Sequence, residues 1–154
     1  MSIVRNSKFS LCVVFSAGAA IFMLAAYATA DHHGKPPTVS LGKPIYSAGE
    51  NIVVNFSNGP GNKDDWIAVY AKDIVPGSGI FTELWYFANG KREASEIGVS
   101  NGSLVLDSAS DNPDDPEVDW PLADGDYDVY FLCCDGYDVH AGPVSLKIES
   151  ADGG

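Results

Sequence analysis

Short apolar runs that alternate with polar residues, separated by Gly, Pro and Asn, dominate the chain beyond residue 30. Ile52, Val54 and Phe56 share one face of a run over residues 51–57, with Val53, Asn55 and Ser57 opposite. Over residues 65–71 both faces are apolar, Trp66, Ala68 and Tyr70 alternating with Ile67 and Val69, which predicts a central strand. Tyr127, Val129, Phe131 and Cys133 point one way in the next strong run, and Asp128, Tyr130, Leu132 and Cys134 the other. Tyr137, Val139 and Ala141 open a return strand that Val144, Leu146 and Ile148 finish, and the slip of one at Gly142-Pro143 predicts a bulge. Weaker strands are expected around Val39 and Leu41, over the aromatic residues 80–87 and over 103–106. Residues 46–50 and 58–62, with Asn89-Gly90 and Asp135-Gly136, read as turns, and 91–100 carries no pattern. No segment beyond residue 30 predicts an amphipathic helix. The expectation is an all-β antiparallel sandwich of about seven strands over residues 38–149, with a flexible tail at 31–37 and a disordered end at 150–154.

The first 30 residues have another pattern. Arg5 and Lys8 precede a largely apolar stretch, and Ala28-Thr29-Ala30 forms a small-residue cleavage site before Asp31-His32-His33. This predicts a signal peptide over 1–30 and a secreted or periplasmic protein, free of the membrane after cleavage. An uncleaved anchor is the competing reading, and the A-x-A end argues against it. No later run is long and apolar enough to span a bilayer, and the remainder is one domain's worth of chain.

Charge narrows the partners. Nine Lys and Arg stand against 21 Asp and Glu, a net charge of -12, and losing Arg5 and Lys8 with the leader makes it two units more negative. Nucleic acid and anionic membranes are disfavoured, because both are bound through Lys and Arg. Divalent cations are favoured. Of three cysteines, Cys12 lies in the leader and only the adjacent Cys133 and Cys134 remain, so no disulfide framework links distant strands.

Two motif groups carry a resemblance. Tyr46-x-x-Gly49-Glu50-x-Ile52-x-Val54-x-Phe56 is followed by Gly61-x-x-Asp64-Asp65-Trp66-Ile67-x-Val69-Tyr70, and later come Leu122-x-x-Gly125-Asp126-Tyr127-x-Val129 and Asp135-Gly136-Tyr137. Together they resemble the immunoglobulin-like modules attached to calcineurin-like metallophosphoesterases, and SKICH-type immunoglobulin-like domains. The resemblance covers residues 38–148 and implies an immunoglobulin-like sandwich serving as an accessory or recognition module. Trp66 is then expected buried between the sheets, and Tyr127 in a tyrosine corner, its hydroxyl bonded to the upstream backbone. The intersheet disulfide of antibody domains is missing.

Candidate chemistry is sparse. A binuclear phosphoesterase centre needs His, Asp and Asn ligands in several motifs, whereas the exported chain keeps only His32, His33 and His140, the last without a visible partner. No Ser sits in a nucleophile elbow, so no enzyme is expected and no cofactor is required. Asp111, Asp114, Asp115, Glu117 and Asp119 supply oxygen ligands of the kind calcium takes, without EF-hand spacing, in an acidic loop at 107–120. A mature terminus Asp31-His32-His33 offers an amine, two amides and an imidazole, a square-planar set for Cu(II) or Ni(II). Cys133 and Cys134 form a vicinal bridge, remain buried thiols, or leave Cys134 to join a second chain; all three stay open. Among Phe81, Trp85, Tyr86 and Phe87, alternation lets only half face inward, so some are candidates for a glycan or partner platform, with Trp120 a further one. The leading expectation is an exported, non-catalytic module that binds a protein or glycan. A divalent-metal-binding protein (Ca or Cu) and a structural subunit assembling through sheet edges are the alternatives.

Overall fold

A computed structural model of the chain describes residues 34–150. The expected signal peptide, the Asp31, His32 and His33 site and residues 151–154 lie outside them. Among the described residues no helix is long and apolar enough to cross a membrane.

Among the described residues eight strands form two sheets: β1 (Thr38–Leu41), β2 (Ile45–Ser47), β3 (Ile52–Ser57), β4 (Trp66–Ala71), β5 (Leu84–Phe87), β6 (Gly102–Leu106), β7 (Gly125–Leu132) and β8 (Val139–Glu149). The smaller sheet has the order β1-β3-β6 and the larger the order β2-β8-β7-β4-β5. The fold is therefore all-β and sandwich-like. The expectation of about seven strands, all antiparallel, is corrected, because β2 runs parallel to β8. Tyr46 and Ser47, expected within a turn, make this extra strand together with Ile45. Pro44, lacking an N–H, ends the pairing of β1 and lets the chain cross to the larger sheet, where its carbonyl accepts from Lys147 N at 3.0 Å.

Strand alternation places the core. Ile52, Val54 and Phe56 of β3 pack with Ile67 and Val69 of β4 and with Tyr127, Val129 and Phe131 of β7. Phe56 and Phe131 are tilted, their centroids 5.2 Å apart. The opposite face of the larger sheet has an apolar cluster of its own: Trp66, Ala68, Tyr70, Tyr130 and Leu132, with Trp85 and Phe87 against it. This corrects the expectation for Trp66. It is buried (9% exposed) but on the outer face, because Ile67 and Val69 take the intersheet positions. In β4 both faces are apolar, so hydrophobicity could not choose between them.

The Tyr127 hydroxyl donates to Ala123 O at 2.9 Å. The register of β7 and β8 shifts between Val129 and Phe131, so that Gly142 and Pro143 together face Tyr130. Gly142 has φ 110°, and a Cβ there would lie 2.7 Å from Val129 O, so this bulge requires glycine. The strand expected over residues 80–87 is shorter, starting at Leu84. The acidic segment packs against the β5 edge: Leu84 bridges to Asp111, and Tyr86 Oη lies 3.0 Å from Asp107 Oδ1, to which it donates.

Candidate binding site

Alternation in β4 and β5 sends Trp66, Trp85 and Phe87 to the outer face of the larger sheet, beyond which lies a cleft of about 250 Å³. Three loops complete it. The β4–β5 connection brings Gly79, Ile80, Phe81 and Thr82, the acidic loop brings Asn112 and Asp114, and the β7–β8 turn brings Asp135 and Tyr137. Phe81 is 52% exposed. The rings stand nearly at right angles: Trp66 to Trp85 at 6.0 Å and 81°, Trp85 to Phe87 at 5.3 Å and 90°, Trp66 to Tyr137 at 6.2 Å and 71°. Edge-to-face contacts of this kind are favourable beyond the area they bury. The Arg92 guanidinium lies 4.2 Å from the Trp85 ring centre.

A buried carboxylate sets the β7–β8 turn. Asp65, 0% exposed, accepts from Asn62 N at 2.9 Å and Asn62 Nδ2 at 3.1 Å, and from Cys134 N at 3.3 Å. His140 Nε2 stands 3.2 Å from the same carboxylate, so His140 does have a partner, 75 residues away in sequence. Cys134 and Asp135 both take positive φ, 59° and 53°, a conformation that costs L residues energy. The cost is offset by Asp135 N donating to Asp64 O at 2.8 Å, Gly136 N to Cys133 O at 2.7 Å and Trp66 Nε1 to Gly136 O at 2.9 Å. Tyr137, expected to open the return strand, instead belongs to this turn and enters the cleft.

Cys133 and Cys134 form the vicinal disulfide, at the tip of the same turn. Asp65, Cys133 and Cys134 are the one group of three or more metal-ligating side chains that converges among the described residues. With both sulfurs joined to each other it offers no thiolate, and thiolate is the form in which cysteine ligates metals.

The acidic loop distributes its carboxylates. Asp111 Oδ1 accepts from Asp119 N at 2.9 Å and Asp115 Oδ1 from Glu117 N at 3.0 Å, Glu117 is exposed, and Asp114 faces the aromatic cleft. A sixth acid, Glu83, joins Asp119 and Asp115. Burial, followed by repulsion from Asp119, pushes the Glu83 carboxyl up to about 7. Asp119 is also pushed up, by burial and then by Asp115.

Sequence reasoning singled out Trp66, Asp114 and the aromatics of residues 80–87, but not Thr82, Asn112, Asp135 or Tyr137 as neighbours of one cleft. Tyr137 directly after Asp135-Gly136 was the available signal, an aromatic at a turn tip. Set against known proteins, the chain matches no family model, no curated protein and no solved structure.

Proposed function

We propose that this chain is an exported, non-catalytic, immunoglobulin-like module that recognises a partner protein through the aromatic cleft. The observation that carries the reading is the convergence of Trp66, Trp85, Phe87, Tyr137 and the half-exposed Phe81 on one concavity outside the intersheet core. Aromatic anchors in a pocket with a polar rim are what the centres of protein interfaces are made of. Support for the immunoglobulin-like assignment comes from the strand order of the two sheets and the bond from Tyr127 to Ala123. A glycan chain stacks on flat, exposed ring faces, and the near-perpendicular rings here favour a protein side chain instead. Selection of random peptides on the immobilised protein tests the reading. Enrichment that is lost on Phe81→Ala and Tyr137→Ala supports it, and enrichment indifferent to both contradicts it.

A second reading has one observation in its favour: Glu83, Asp115 and Asp119 crowd together enough to raise two of their carboxyls. A calcium ion among them would relieve that repulsion. Calorimetric titration with calcium tests it, and a melting temperature indifferent to calcium and chelator would set it aside.

A further inference from the structure

We propose that the group the cleft receives is an alkylammonium, a lysine or methylated-lysine side chain displayed by the partner; this rests on reading the cleft as a binding site. The walls are built for a compact cation. Trp66, Trp85 and Phe87, set at 81° and 90° to one another in edge-to-face contact, give it an aromatic floor. Aromatic faces are electron-rich and attract ammonium ions, most strongly where water is excluded. The volume, about 250 Å³, lies below the roughly 300–1,000 Å³ of drug-sized pockets and suits one side-chain head group.

Charge completes the case. Asp114 and Asp135 line the cleft, while no Lys or Arg is among its lining residues. The chain as a whole carries -12, so its field draws cations toward the surface. This sheet already holds one cation over an indole, in the Arg92 guanidinium above Trp85. Thr82, 5% exposed, also lines the cleft, and its hydroxyl has no hydrogen-bond partner among the described residues. The two carboxylates also disfavour a cation that carries its own anion, as phosphocholine does. A lysine-type side chain has none.

The test follows the indole N–H resonances of Trp66 and Trp85 in the exported protein at constant ionic strength. The probes are tetramethylammonium, capped lysine amide, phosphocholine and the uncharged isostere neopentyl alcohol. The two simple cations should saturate the shifts, with the isostere and phosphocholine at least about tenfold weaker, as one well-placed cation–aromatic contact implies. Asp114→Asn combined with Asp135→Asn should weaken the cations about tenfold and leave the isostere unchanged; Asn keeps the left-handed backbone of residue 135 accessible. Equal binding of isostere and cation would overturn the inference and leave an apolar binding cleft. Silence of every probe, while cleft-dependent peptides still bind, would overturn it too and spare the reading it rests on. Silence of probes and peptides alike would overturn both.

Discussion

At the scale of single residues, two carboxylates carry opposite consequences. Asp65 is wholly buried and holds Asn62, Cys134 and His140 together, so removing it strands several donors at once. Asp65→Ala should cost about 2–4 kcal/mol in chemical denaturation, the penalty for leaving buried partners unpaired. Glu83 works the other way. Its folded carboxyl sits at about 7 against an ordinary 4.5, so the native state holds a proton that the unfolded chain has released between those values. Its contribution to stability is therefore complete below about 4.5 and is lost as pH rises through 7. Glu83→Gln should stabilise the protein by about 1–2 kcal/mol at pH 8 and change little at pH 4, as thermal melts at both pH values would read. Neither carboxylate's role was legible along the chain. Asp65 meets His140 only because β4, β7 and β8 lie side by side in register, and Glu83 meets Asp119 only because the acidic loop folds back on the β5 edge.

Elements were legible where one face is apolar and the other polar. Ile52, Val54 and Phe56 identify β3 and its inward face at once, and the broken alternation at Gly142-Pro143 locates the bulge. Legibility failed where both faces are apolar. Trp66, Ala68 and Tyr70 compete equally with Ile67 and Val69, and only the packing of β3 and β7 decides which set lies between the sheets. It failed also for β2, whose three residues pair in parallel with a strand about a hundred positions later. The bulge gives a prediction of its own. Gly142→Ala would set a Cβ 2.7 Å from Val129 O in a backbone conformation that alanine resists, and should lower stability by about 2–3 kcal/mol, read from the denaturation midpoint. Because this bulge sits in the hairpin that presents Tyr137, hydrogen exchange in the β7–β8 turn should quicken in the same variant.

On the scale of the whole molecule, the larger sheet is apolar on both faces. One face closes the sandwich, and the other supports a cleft drawn from the sheet and three loops, with an acidic rim. Four separated segments meet there, which is why its aromatics could be suspected one by one while the cleft itself could not be seen. The central claim is that this concavity, and not a sheet edge, meets the partner. The most direct measurement is the structure of the protein bound to a peptide selected against it. The account predicts a basic side chain of the peptide inserted among Trp66, Trp85, Phe81 and Tyr137, with Asp114 and Asp135 beside it. A peptide paired instead as an added strand along the edge of β2 or β6, leaving the cleft untouched, would contradict it.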